Sequence, residues 1–527
     1  MRRMRVIMVM VLSMFCLASM AQTRMVTGKV TSSEGGTAVS QATVRLKGAV
    51  AASQTREDGT FSIEVVANSS DILVFSHPDF DEVEIFLDGK KEVNVTLTSN
   101  VRYNQYGVKV NRRPLFTEER NGILVFESKD EKYKAWFDVR VQADGQVFFG
   151  DTYNEIGNGL SMRRARFAVK TEFLNHWYAE FDMDIANSEL ELKDAYLQYT
   201  FTKGPYMRFG NFKEYYSMES TTTSRYLTFI ERPMSVNIFA PSRHIGFGMS
   251  YRYKWLLGFG GVFFQAVDDL EERTFSKDNN KDYGMDEGYS LTGKLVFMPF
   301  YDKNDKGIHV GVAGSYRTPK TDAEVPGTIR YSTRSLSNIN RKKYIDTDLI
   351  GNLDHATLGG FELAGYYKNF RVQGEYLWSG VHRKEGLETL NYDGWYAFAS
   401  VLVFGGKYNY DTGDGEFTQV GRGKKWGDIE LAVRYDYLNM NNFDQIVIGG
   451  AGEGYTFGIN YYANNNVKIM LNYSYLNHDR YANGKNTLYI GYDMNGELTK
   501  DPRQVADGAG KAGEDYHQIG IRFEVDF

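Results

Sequence analysis

Residues 164–185 read RARFAVKTEFLNHWYAEFDMDI, and the period of that run decides the fold. Ala165, Phe167, Val169 and Phe173 fall on one side of an extended chain, opposite Arg164, Arg166, Lys170 and Glu172. After Asn175-His176 the alternation resumes, with Ala179, Phe181, Met183 and Ile185 opposite Glu180, Asp182 and Asp184. Successive side chains of a strand point to opposite faces. The stretch therefore predicts a β-hairpin with one apolar face and one heavily charged face. A three-residue turn around Asn175 sets Lys170 across from Glu180 and Arg166 across from Asp184, as cross-strand ion pairs of roughly 0.2–1 kcal/mol each.

The same period extends in both directions. Upstream, Phe137, Val139, Val141 and Ala143 oppose Asp138, Arg140 and Gln142; downstream, Ala195, Leu197, Tyr199 and Phe201 oppose Asp194, Gln198 and Thr200. Similar strands start near Arg208, Phe247, Leu256, Tyr289, His309, Phe361, Phe370, Trp395, Ile429, Tyr455, Val467 and Tyr516. The last places Ile519, Ile521, Phe523, Val525 and Phe527 against Arg522, Glu524 and Asp526. The expected architecture is all-β: an antiparallel transmembrane barrel of about 16 strands, a size that leaves an aqueous lumen, preceded by a small β-sandwich.

Composition fits this reading. The chain has 527 residues, 15% aromatic, with 53 Gly but only 9 Pro. A mean hydropathy of −0.44 excludes a bundle of membrane-spanning helices, but not a barrel whose strands average a lipid face with a wet one. Tyrosines cluster where the apolar stripes end, as at Tyr251-Tyr253, Tyr435-Tyr437 and Tyr473-Tyr475, in the manner of aromatic girdles. The connections are unequal. Those at 175–176, 368–369 and 464–466 are tight, whereas 213–243, 268–287, 318–359 and 479–515 are long, which assigns short turns to one end and long loops to the other.

Residues 1–21 have the layout of a secretory signal peptide: Arg2, Arg3 and Arg5, an apolar run from Val6 to Ala18, and small residues before a cleavage point after Ala21. Cys16, the single cysteine, lies inside that run, so the mature chain holds neither disulfide nor thiolate metal site. The formal charge of −6 gives no basic surplus for nucleic acid. Residues 22–99 contain six short β-rich runs separated by Glu34-Gly35-Gly36, Asp58-Gly59 and Asp88-Gly89 turns, the spacing of a sandwich. Residues 100–132 form a polar linker with no clear period, and the barrel occupies 133–527.

Two resemblances refine this picture. The run VTGKVTSSEGGTAVSQATVRLKG, with TREDGTFSIEV and LVFSHPDF after it, resembles the carboxypeptidase regulatory-like domain. In that family such domains often precede Gram-negative outer-membrane barrels. The segment 161–264, with MRRARFAVKTEFLNHWYAEFDMDIA, ELKDAYLQYTF and MRFGNFKEYYSMESTTTSRYLTFIERPMSVN, resembles the phosphate-selective porin O and P family. That resemblance implies a trimeric 16-stranded porin whose inward-folded loop forms a constriction. The family's paired arginines fall on Arg163 and Arg164, and its lumenal acid on Asp194. Its loop hydroxyls and following base fall on Thr223, Ser224 and Arg225, and its closing pair on Glu231 and Arg232. Where phosphate-specific members carry a loop lysine, this chain has Ser220; Asn211 replaces the arginine of the strand motif, and Lys213 stands where those members can have an acid.

The physical reading agrees. Low-dielectric walls magnify each charge lining a constriction, and the planar fork of Arg makes paired bonds to phosphate oxygens. Candidates for the anion path are Arg163, Arg164, Arg166, Lys213, Thr223, Ser224, Arg225 and Arg232, together with Asp194. Arg208 and Arg252 extend the basic column. Strict alternation puts Arg163 on the face opposite Arg164, so either a bulge re-aims it or it lies at an interface. Glu231 reads as an anchor of the loop to a wall base. The His382–Glu385 pair lacks a third ligand, the 302–313 stretch lacks the closing carboxylate of a calcium loop, and Asp411–Glu416 reads as a solvated hairpin. No nucleophile–base arrangement appears, so an enzyme is not expected, and no cofactor or metal is called for.

The expected function is passive diffusion of small solutes across the Gram-negative outer membrane, with anions such as phosphate preferred. The expected assembly is a homotrimer in outer-membrane lipid. The N-terminal domain would lie in the periplasm and dock a periplasmic partner or the barrel mouth. The alternative is a structural or adhesive surface barrel with a plugged lumen.

Overall fold

The computed structural model describes residues 23–66, 72–111, 113–120, 122–186, 190–267, 288–319, 327–506, 508 and 510–527. The signal-peptide assignment lies outside the described residues. The described residues form two compact units, divided between Leu115 and Phe116.

In the first unit, Thr60–Val66, Thr23–Ser32 and Val95–Leu97 form one sheet. Ala52–Gln54, Thr43–Leu46, Ile72–His77 and Phe80–Phe86 form a second. Val26, Val30, Phe61 and Val65 of one sheet meet Val44, Leu73 and Phe75 of the other in a common core, which is the packing of a sandwich. The segment read as a linker carries four short strands, Val101–Tyr103, Lys109–Asn111, Leu115–Arg120 and Ile123–Ser128.

The second unit is a closed antiparallel barrel. Its strands are β1 Tyr133–Phe149, β2 Gly159–Phe173, β3 Trp177–Asp184, β4 Glu191–Thr200, β5 Tyr206–Lys213, β6 Arg243–Tyr253, β7 Leu256–Phe263 and β8 Ser290–Phe297. They continue as β9 Lys306–Arg317, β10 Leu353–Tyr367, β11 Phe370–Arg383, β12 Leu390–Leu402, β13 Asp428–Asn442, β14 Val447–Tyr462, β15 Val467–His478 and β16 Asp515–Asp526. Each pairs with the next, and β16 returns to β1 with Asp526 opposite Arg140 and His517 opposite Phe149. Closure satisfies every strand edge, a requirement of hydrocarbon surroundings. Ile123–Ser128 adds onto the start of β1, Val125 opposite Trp136.

Alternation sorts the two faces as the sequence requires. Phe137, Phe167, Phe181, Leu197, Phe209 and Ile521 are exposed on the outside. Asp138, Arg140, Gln142, Arg164, Glu362 and Arg522 are buried within. The turn between β2 and β3 holds Leu174 and Asn175 at φ 55° and 63°, the left-handed pair that suits a tight hairpin. It sets Lys170 opposite Glu180 and Arg166 opposite Asp184, the register expected from the spacing.

The long connections, 214–242, 264–289, 318–352 and 479–514, all leave from one end of the barrel. The other end has one exception to the short-turn rule. Between β12 and β13 the chain spends residues 403–427, and this insert folds into the lumen. Its Phe417 is buried beneath the Arg371 guanidinium, 3.8 Å from the ring centre, and its Tyr410 hydroxyl lies 2.6 Å from His309 Nδ1. The hairpin expected at Asp411–Glu416 is present, with Asp411 paired to Glu416. Asp414 and Glu416, however, line an internal cavity and do not form a solvated turn. Asp428 pins the insert at its base by accepting from the backbone N–H groups of Phe404, Gly406 and Gly423 at 2.8–3.0 Å.

Candidate functional site

The 214–242 connection also turns inward. It carries two short helices, α1 Met218–Thr221 and α2 Met234–Phe239. It packs on the far wall: the N–H of Met218 donates to Glu362 Oε1 (2.8 Å), that of Glu219 donates to Glu375 Oε1 (2.7 Å), and Phe229 meets Phe398 edge-on. Loop and insert thereby occupy the β9–β15 side of the lumen. Open space remains beside β1–β6, as two adjoining cavities.

The cavity toward the long loops, about 380 Å³, is a basic vestibule. Arg163, Lys193, Arg334 and Arg341 line it, and among the described residues Asp184 and Glu191 are its only acids and no aromatic side chain lines it. The cavity toward the turn end, about 470 Å³, is a mixed chamber in which basic groups face six carboxylates and five tyrosines. Arg164, Arg166, Lys213, Arg232 and Arg243 line both and form a basic ring where the cavities meet.

Within this ring the charges are unevenly compensated. Arg166 pairs with Asp184 (3.1 Å) and Asp182 (3.5 Å), and Arg243 with Asp194 (2.6 Å). Among the described residues, no carboxylate lies within salt-bridge reach of the other three. Arg164 Nη1 donates to Gln142 Oε1 at 2.7 Å. Lys213 Nζ donates to the Ser220 carbonyl at 2.5 Å. Arg232 donates to the carbonyls of Glu219 (2.8 Å) and Thr222 (2.7 Å). A neutral acceptor orients a cation without cancelling its charge.

Arg163 is re-aimed by a bulge. The β1–β2 register steps from Gln142 opposite Arg164 to Ala143 opposite Met162, leaving Arg163 as the extra residue. Both adjacent arginines thus reach the inside. Arg163 spends its charge on Glu231, through Nε (2.6 Å) and Nη2 (3.2 Å). Glu231 also takes Arg522 at 3.3 Å. Burial opposes the Glu231 charge, but Arg163 and Arg522 outweigh it and hold the carboxyl below the usual carboxylate range. Glu231 is the latch of the loop.

The other expected site residues are brought to the chamber but are occupied. Arg225 pairs with Asp138 and with Asp526 (3.3 Å). Ser224 Oγ accepts from Arg140 at 2.9 Å, and Thr223 lines the chamber wall. Arg208 lies 4.1 Å above the Tyr196 ring. Arg252 lines neither cavity and donates to Thr412 of the insert. Glu180, Asp182 and Asp194 bring carboxylate oxygens within 4.8 Å of one another, with Lys170 and Arg243 bonded to two of the three.

Arg140, Lys193, Arg243, Arg334 and Arg341 were not among the expected site residues. Alternation already placed Arg140 on the charged face of β1. Arg334 and Arg341 come from the 318–352 loop, where no period marks them. Ser220 is compensated in space: the Lys213 ammonium lies against its carbonyl, so a wall lysine supplies positive charge at the loop position that lacks one.

The sequence model of the family described as phosphate-selective porin O and P matches residues 137–495. An uncharacterised protein of Caulobacter vibrioides is 26% identical over 363 residues, covering 67% of this chain and 70% of that one. Porin O of Pseudomonas aeruginosa is 23% identical over 405 residues, covering 69% of this chain and 87% of that one. Among solved structures, the anion-selective porin from Comamonas acidovorans is 13% identical with a TM-score of 0.46, covering 75% of this chain and 100% of that one.

Proposed function

The chain belongs to the phosphate-selective porin O and P family and forms an outer-membrane channel, not an enzyme; from that premise we propose that it passes small anions, phosphate among them, by diffusion through the basic ring. The observation that carries this reading is the uncompensated charge of Arg164, Lys213 and Arg232. At an effective dielectric of about 20, a unit charge 5 Å from a passing anion contributes roughly 3 kcal/mol, so three such charges outweigh paired neighbours whose fields cancel. Carbonyl-held cations attract without enclosing, which lets an anion leave as readily as it enters. Arg163 serves this path as the loop's anchor, while Arg166, Asp194, Thr223, Ser224 and Arg225 shape its walls.

We also propose assembly as a homotrimer. Residues 22–99 act as a carboxypeptidase regulatory-like domain in the periplasm that docks a periplasmic partner or the barrel mouth. The test is a planar-bilayer recording of the full chain in a KCl gradient. The expected reversal potential is that of an anion-preferring pore, reduced in Arg164→Gln/Arg232→Gln. A cation-preferring potential overturns the basic-ring reading, and an absence of conductance supports the plugged surface barrel in its place.

A further inference from the structure

The chamber is poorly matched to inorganic phosphate alone. Its 470 Å³ falls within the roughly 300–1,000 Å³ of pockets that enclose whole organic ligands. Asp138, Glu180, Asp182, Asp194 and Asp414 all face it, and carboxylates repel a bare anion. They suit a solute that also brings hydrogen-bond donors. The least compensated on the barrel wall is Asp182. It is 7% exposed, and among the described residues its one basic contact is Arg166 at 3.5 Å and its Oδ1 accepts no hydrogen bond.

The layout along the wall separates the two chemistries by a definite distance. On the lumenal face of β2, Arg164 opposes Gln142 in the ring, and Ala168 opposes Asp182 in the chamber. Four residues of strand separate these rows by about 13 Å, and the arginine side chain spans part of that gap. Ala168 is the only small side chain in the lumenal series Arg164, Arg166, Ala168, Lys170, and the chamber opens over it. Tyrosines flank this space in fixed poses. Tyr178 and Tyr196 both donate to Glu180 Oε2, at 2.6 and 2.8 Å, and Tyr215 donates to Asp414 Oδ1 at 3.3 Å. Carboxylate acceptors beside aromatic faces are the partners that a polyhydroxylated carbon skeleton requires: hydroxyls donate to the acids, and C–H faces cover the rings.

We propose that the ring and chamber together form a binding site for a phosphorylated sugar or polyol. The phosphate sits on Arg164, Lys213 and Arg232, and the hydroxylated body lies over Ala168 with a hydroxyl donating to Asp182. This rests on the anion reading of the ring and adds the substrate class to it. Inorganic phosphate makes only the first set of contacts, and a neutral sugar only the second.

Single-channel recording of the full chain in KCl, with inorganic phosphate, glucose or glucose 6-phosphate added, tests the assignment. Glucose 6-phosphate should block chloride current at a concentration about tenfold below that of inorganic phosphate, the order expected from one added hydrogen bond to a charged group. Glucose alone should block weakly. Ala168→Leu fills the space over the chamber wall, and should remove the advantage of the sugar phosphate while leaving phosphate block intact. Asp182→Asn should weaken glucose 6-phosphate block and leave phosphate block equal or tighter, because it removes a repelling charge. Equal block by the two phosphates in the unaltered protein, or variants that shift both by the same factor, would overturn the proposal. An anion-preferring pore blocked by phosphate but indifferent to the sugar sinks only this inference. A pore that prefers cations sinks the ring reading beneath it.

Discussion

Replacing Glu231 by Gln should loosen the constriction loop and raise anion selectivity at once. The carboxylate accepts from Arg163 at 2.6 and 3.2 Å and from Arg522 at 3.3 Å. Arg522 is itself fixed by Asp144 at 2.6 and 2.7 Å and donates to the Ile230 carbonyl at 2.7 Å. Removing one partner of a fully buried pair costs about 3–5 kcal/mol. Arg163 keeps 26% of its side chain exposed, so solvent screening lowers the figure to about 3 kcal/mol. At 1.4 kcal/mol per decade, that is about a hundredfold greater population of the undocked loop. The assay is current noise and reversal potential in a planar bilayer. Glu231→Gln should be noisier and more anion-selective, since Arg163, which lines the vestibule, loses its counter-charge. Arg163→Gln should be equally noisy but less anion-selective. The double variant should return near the original selectivity while remaining noisy, with a combined cost below the sum of the two. The pH dependence has a definite sign. Because the folded carboxyl is depressed, the latch is present above the ordinary carboxylate value of about 4.3 and is lost only as pH falls through the depressed one. Noise should stay flat from pH 7 down to about 5. A quiet Glu231→Gln channel of unchanged selectivity, or strictly additive single variants, would refute the latch.

Lys213→Gln should lower anion selectivity, and Ser220→Lys in that background should restore it, because the Lys213 ammonium already lies against the Ser220 carbonyl; the KCl reversal potential of the two variants measures this. Burial, reinforced by Asp414, pushes the Glu416 carboxyl up to about 8, so this acid is largely neutral at pH 7 and gains its charge as pH rises through 8. Anion permeability should therefore fall between pH 7 and pH 9 in the unaltered channel and change less in Glu416→Gln.

The barrel was legible because its signal is local. A period of two needs only neighbouring residues, and the tight turn at Asn175 fixed the register that carries Arg166 to Asp184 and Lys170 to Glu180. Glu231 was readable as an anchor only through the family resemblance, which places the loop's closing pair on Glu231 and Arg232. At Arg163 alternation does not distinguish a bulge from an interface position, since one extra residue leaves no mark on a period. The inward fold of residues 403–427 was missed for a different reason. The lumen is wet, so a segment that lies in it has the composition of one that lies in bulk water, and the polarity of Asp411–Glu416 is the same in either place. The occupation of Arg225 by Asp138 and Asp526 was equally hidden, because those partners meet only when β16 closes on β1.

Selectivity in such a lumen follows from charge left over, not from charge present. Among the described residues, thirteen arginines and lysines line the two cavities, but a carboxylate at 2.6–3.5 Å turns Arg163, Arg166, Lys170, Arg225 and Arg243 into short dipoles whose field fades within a few ångströms. What an approaching anion senses is the remainder. Arg164 faces Gln142 where its neighbour in the next row faces Asp184, and Lys213 and Arg232 face backbone carbonyls that carry no charge. The paired arginines of the family motif illustrate the division. Without the bulge, alternation would send one of them to the lipid face; with it, both enter the lumen, one to be neutralised by Glu231 and so hold the loop in place, the other to keep its charge beside the opening the loop creates. One irregular residue in a strand thus supplies both the support of the constriction and part of its field.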